Sequence, residues 1–148
     1  GGISEDTEIS ICISEGHKTT KNILESGAFT VRMADVENVV SADYVGIVSA
    51  NDVPDKFAKA GFHATKSEHV NAPLIDELPM ALECKVKSYE DEILIGEIVN
   101  VCADESVLTD GKVDPKKLKP IVFDPVNNTY VVMGEVVGNA FSDGKRLK

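Results

Sequence analysis

The chain has 148 residues, 43% of them apolar, and its 25 acidic against 15 basic side chains give a formal net charge of -10. This length and apolar share suit one globular domain, residues 1–148, and exclude a disordered tail. The acidic balance argues against nucleic acid, whose sequence-independent binding needs a basic surface, and no apolar run approaches the ~20 residues of a membrane-spanning helix. Residues 1–6 show neither the basic nor the apolar part of a secretion signal, so the expected compartment is the cytoplasm.

Residues 8–14 alternate strictly, with Ile9, Ile11 and Ile13 on one face and Ser10, Cys12 and Ser14 on the other, and predict a strand. Gly16 turns the chain, Thr19 or Thr20 caps a short helix through Ile23 and Leu24, and Gly27 ends it. A second strand follows over 28–33. Asp35 is placed to cap a helix carrying Val36, Val39 and Val40, broken near Ser41 before the apolar segment 44–48.

A short helix over 55–60 ends at Gly61, and a polar crossing leads to two long alternating runs, 80–89 and 93–102, that predict a hairpin turning at Glu90-Asp91-Glu92. Asp110-Gly111 marks a turn. Asp114-Pro115 caps a brief helix with proline at its first position. Val122-Phe123 and residues 130–133 are set to pair across Asn127-Asn128. The pattern is mainly β with short helices, an antiparallel barrel or sandwich. The strand set is uneven for closing a barrel, so N-terminal strands are expected to be missing.

Cys12, Cys84 and Cys102 lie far apart in strand-like contexts and read as reduced core thiols. His17, His63 and His69 are scattered without metal-ligand spacing, so no metal site is expected. A Gly-rich dinucleotide fingerprint and a Walker loop are both absent. The chemistry-bearing stretch is 16–24, where a strand ends and a helix begins beside Lys18, Lys21, Thr19 and Thr20. Early helix N–H groups lack intrahelical partners and carry the positive end of the dipole, so this is an anion site in an otherwise anion-repelling chain. The plain alternative is a capped helix with surface lysines.

Six segments, 17–23, 42–49, 55–57, 71–75, 82–85 and 134–141, resemble in order and spacing the flavin reductase-like family with the FMN-binding split barrel, in particular its flavoredoxin-like branch. The resemblance implies an antiparallel split β-barrel and a homodimer binding FMN near the subunit interface. Electrons then arrive from NADH, NADPH or a redox protein partner. It places Lys18, Thr19 and Thr20 in the phosphate-contacting segment, with His17 as a secondary candidate. It also implies an earlier opening hairpin ending in a Trp-Gly-Gly-like stretch, of which Gly1-Gly2 is read as the remnant.

Phe141, preceded by Gly138 and Ala140, is the aromatic candidate for the flavin ring, with packing of the C-terminal arm as its alternative. Lys56 is read as a solvated helix lysine, with positive charge near a second anionic group as its alternative, and Cys84 as an inert strand thiol. Flavin-mediated electron transfer requires no protein acid or base, so the absence of a catalytic triad is neutral. The competing function is a non-catalytic or flavin-free split-barrel domain used in assembly or binding.

Overall fold

The computed structural model describes residues 1–147. In chain order the elements are β1 (Gly2–Glu5), β2 (Glu8–Cys12), α1 (Lys18–Ser26), β3 (Ala28–Arg32), α2 (Val39–Ile47), α3 (Lys56–Lys59), β4 (Ala64–Lys66), β5 (Pro73–Ile75), β6 (Met80–Glu90) and β7 (Ile93–Ala103). They continue with β8 (Leu108–Thr109), β9 (Lys112–Val113), α4 (Pro115–Leu118), β10 (Ile121–Asp124) and β11 (Thr129–Val132).

The central sheet has the order β1-β2-β7-β6-β3, every neighbouring pair antiparallel, with β1 and β3 as its edges. Its spine is the β6–β7 hairpin. Asp91 and Glu92 both take positive φ, +50° and +62°, as a two-residue turn requires if the strands are to keep their right-handed twist. Leu82 and Cys84 of β6 face Ile9, Phe29 and Leu94 in the main apolar core. β7 passes so close to the Phe29 ring that only a residue without a Cβ fits at position 96. Ala28, Val70 and Ala72 form a separate small cluster where the 67–72 loop covers the sheet.

The predicted hairpin, the 110–111 turn, the Asp114 cap and the β10–β11 pair all form as read: Asp114 Oδ1 accepts from the Lys116 N–H at 2.9 Å, and Phe123 faces Tyr130 across the pair. Three details differ. A strand, β1, precedes Glu8 and pairs with β2. α2 runs through Ser41 unbroken, because its hydroxyl donates outward to the Ala60 carbonyl at 2.7 Å and leaves the helix ladder intact. α2 also starts three residues after Val36, because Asp35 Oδ1 holds the Asn38 N–H at 2.9 Å in a preceding turn. No helix among the described residues is long and apolar enough to cross a membrane.

Candidate functional site

α1 begins where the chain leaves β2 and crosses Gly16. His17 occupies the N-cap position with extended backbone, φ -73° and ψ 141°, and offers no side-chain cap. Neither does Thr19 or Thr20. The Thr20 hydroxyl donates instead to the Ser14 carbonyl at 2.6 Å, and its side chain is 2% exposed. That bond ties the connecting loop back onto the helix, while Asn51 Nδ2 holds the Gly16 carbonyl from outside at 3.2 Å. Among the described residues nothing accepts from the N–H groups of Lys18, Thr19 or Thr20. Three backbone donors at the positive end of a nine-residue helix are therefore free.

Lys18 and Thr19, which carry two of these donors, line a cavity of about 450 Å³ together with Asn22 and Ile23 of α1. Phe29 and Thr30 of β3 form its floor, Asn71, Ala72 and Pro73 one wall, and Lys56 and Phe57 of α3 the other. Thr30 Oγ1 donates to the Pro73 carbonyl at 2.6 Å and fixes the wall to the floor. Lys56 Nζ donates to the carbonyls of Val45 and Val48, each at 2.7 Å, and so terminates α2 with a positive charge. An ammonium has three donors, and Lys56 has one left beyond those two bonds. Aspartate and glutamate are absent from the lining, although the chain carries 25 acidic residues.

The arrangement fits a ligand with an anionic end and a flat apolar body, because Lys18 and the free amides lie at the start of α1, Lys56 adds a second ammonium from the α3 wall, and Phe29, Phe57, Ala72 and Pro73 supply apolar surface. A wider groove of about 580 Å³ at the C-terminal end of α1 is shallower and includes Glu68, so it lacks this separation.

Of the residues singled out from the sequence, Lys18 and Thr19 line the cavity. Thr20 does not line the cavity: the residue is 2% exposed and its hydroxyl is turned inward to the Ser14 carbonyl. His17 is exposed and does not line the cavity. Phe141 is also outside it, at φ +60° and 98% exposed. Lys56, read from the sequence first as a solvated helix lysine, lines the cavity. Its only local signal was the Asp55-Lys56-Phe57 segment; its position depends on where α2 ends.

Cys84 is buried, and burial together with the neighbouring Glu83 charge pushes its thiol up to about 11, so it is inert as read. Cys12, by contrast, is exposed rather than in a core. It sits on the strand face opposite the isoleucines.

The open antiparallel sheet with its short helices is that of a split barrel. Residues 4–123 match the flavin reductase-like domain, and the chain belongs to that family. It superimposes on flavoredoxin of Desulfovibrio vulgaris (Miyazaki F) with a TM-score of 0.88 and 40% identity, covering 93% of this chain and 75% of that one. Flavoredoxin from Methanosarcina acetivorans gives a TM-score of 0.90 at 28% identity, covering 100% and 81%. An FMN-binding domain of a flavin reductase-like enzyme from Shewanella baltica shares the fold at 18% identity, with a TM-score of 0.79 over 89% and 73% of the two chains.

Among curated relatives, uncharacterised proteins of Aeropyrum pernix and Aquifex aeolicus are each 30% identical over 93 and 108 residues, 60% and 70% of this chain. The matched parts span 35% and 55% of those relatives' own lengths. The split-barrel fold and the flavoredoxin-like resemblance read from the sequence are borne out.

Proposed function

We propose that the chain binds FMN in the α1–α3 cavity, phosphate at the N-terminus of α1, and relays electrons through it from NADH, NADPH or a redox protein partner. The observation that carries this reading is the lining itself: Lys18, Lys56 and the unpartnered N–H groups of Lys18 and Thr19, with no carboxylate among the described lining residues, in a chain of net charge -10. Lys18 and Thr19 neutralise and orient the phosphate, and Lys56 adds positive potential from the opposite wall. Phe29, Phe57 and Pro73 exclude water from the apolar body of the ligand. FMN, when bound, supplies the redox chemistry, and the protein supplies orientation and electrostatics. Three free cysteines support a reducing, cytoplasmic setting.

Two cases fall under this reading, an enzyme that takes electrons from NADH or NADPH directly and an electron carrier reduced by a protein donor. Rapid-mixing absorbance separates the two. A carrier's flavin stays oxidised with NADH and NADPH and is reduced by a protein donor.

A homodimer is part of the same proposal. α2 exposes Val40 and Ile47, and the β10–β11 hairpin exposes Phe123, Val131 and Met133. The Tyr130 hydroxyl donates to Asp43 of α2 at 2.8 Å, so the two exposed apolar patches are neighbours. Light scattering should give twice the chain mass; a monomer at all concentrations contradicts this part.

The phosphate assignment is tested by titrating FMN and riboflavin, which differ only in the phosphate, into wild type and Lys18→Ala/Thr19→Ala. Loss of two charge-assisted contacts should weaken FMN by about 10- to 100-fold and leave riboflavin nearly unchanged. Equal weakening of both refutes it.

A further inference from the structure

One buried charge takes no part in the cavity lining. Glu83, in the middle of β6, is 1% exposed, on the sheet face opposite Leu82 and Cys84. Its Oε2 accepts from Asn100 Nδ2 on β7, and its Oε1 accepts from the Ser67 hydroxyl. Ser67 is also buried, and its Oγ in turn accepts the N–H groups of His69 and Val70, both at 3.0 Å. The Ser67 N–H donates to the Ala72 carbonyl at 3.1 Å, and the Ala72 N–H to the Val70 carbonyl at 2.9 Å. A single carboxylate thus gathers the loop 67–72 onto the sheet, and that loop delivers Asn71, Ala72 and Pro73 to the cavity.

A buried carboxylate is costly unless its oxygens are satisfied, and an apolar residue would serve packing equally well. Glu83 is held in its charged form. Burial alone raises a carboxyl group, but here the hydrogen bonds from Asn100 and Ser67, aided by the charges of His69 and Arg32, outweigh it and keep the group below the usual carboxylate range. Charge-assisted bonds are shorter and stiffer than neutral ones, which suits a fixed anchor.

We infer that Glu83 is a positioning residue: through Ser67 it sets the Asn71–Pro73 wall of the cavity, so that affinity for the flavin body depends on a carboxylate that no ligand touches. The inference rests on the flavin reading of the cavity. It makes a different demand from the phosphate site, because a displaced wall weakens FMN and riboflavin alike.

The test uses the full chain with Ser67→Ala, Glu83→Met and Glu83→Gln. Ser67→Ala and Glu83→Met each cut the link, and each should raise the dissociation constants of both flavins by about tenfold, the equivalent of one hydrogen bond to a charged group. Glu83→Gln keeps an oxygen for the Ser67 hydroxyl and should recover most of that affinity, which a general loss of packing would not predict. Amide hydrogen exchange in the flavin-free protein gives a second readout. In Glu83→Met, exchange at His69, Val70 and Ala72 should quicken, while Leu94 of β7 remains protected.

Flavin affinities in Ser67→Ala and Glu83→Met equal to wild type, or unchanged exchange in the loop, overturn the inference. Wild-type protein that takes up neither flavin removes the cavity reading instead, and the exchange result then decides the anchor by itself.

Discussion

Replacing Gly96 by alanine should destabilise the protein through one identifiable collision. Gly96 lies in β7 between Ile9 and Val86, and a Cβ built there falls 2.7 Å from Phe29 Cε1 and 3.4 Å from Cys84 Cβ. The ring cannot simply swing away, because Phe29 is 4% exposed and packed among Ile9, Leu82, Cys84 and Leu94. Overpacking of this kind costs about 1–3 kcal/mol, or roughly 2–4 °C in Tm per kcal/mol for a chain of this size. Phe29→Leu removes the colliding ring edge and alone costs about 1–2 kcal/mol.

Together the two substitutions should be less damaging than their sum, with a coupling of about 1 kcal/mol or more, read from urea unfolding of all four proteins by circular dichroism. Because Phe29 also floors the cavity, Gly96→Ala should weaken FMN and riboflavin to the same degree. Additivity within about 0.5 kcal/mol would refute the argument, since it would mean that residues 29 and 96 do not touch.

Two further outcomes follow from the ionisable groups. His63 Nδ1 lies 2.5 Å from Glu77 Oε1, and the same carboxylate accepts the His63 N–H; the side-chain hydrogen bond and the Glu77 charge raise His63 above 6.5, while the backbone and then the side-chain hydrogen bond from His63 lower Glu77 below 4.5. The raised histidine contributes fully below 6.5 and loses its effect as pH rises through its folded value. The lowered carboxylate contributes above 4.5 and loses its effect as pH falls through its folded value. The pair is therefore at full strength between those limits. An NMR titration should find His63 raised, and Glu77→Gln should return it towards its ordinary value; a His63 indifferent to Glu77→Gln contradicts the pairing. Thiol labelling of native protein near neutral pH should modify Cys12 and spare Cys84, whose thiol is pushed up to about 11 by burial and Glu83. Rapid native labelling of Cys84 would contradict its packing.

Local chemistry was legible where the chain decides for itself. Gly27 takes φ +66° and closes α1 through its N–H to Ile23 at 2.8 Å, as a glycine after a short amphipathic run announces. The alternation in 80–89 and 93–102 and the polar residues between them fixed the hairpin. What was missed depends on tertiary partners. Ser41 looked like a helix break until the Ala60 carbonyl supplied an acceptor outside the helix. Thr20 looked like a cap or ligand until Ser14 claimed its hydroxyl.

Lys56 was indistinguishable from a solvated lysine because the carbonyls it satisfies belong to the end of α2. Glu83 read as the polar half of an alternating strand. β6 lies between β3 and β7, and the 67–72 loop covers its second face, so the four residues Ala81, Leu82, Glu83 and Cys84 are all buried in succession. The anion site itself was readable from Lys18 and Thr19 at a helix start, whereas the apolar body of the cavity came from segments distant in sequence.

The central claim is that the free N–H groups opening α1, together with Lys18 and Thr19, hold the phosphate of FMN. A crystal structure of the protein soaked with FMN tests it most directly. The account predicts phosphate oxygens about 2.7–3.1 Å from the Lys18 and Thr19 amides, with the ring against Phe29 and Pro73. A phosphate located anywhere else on the chain would contradict it.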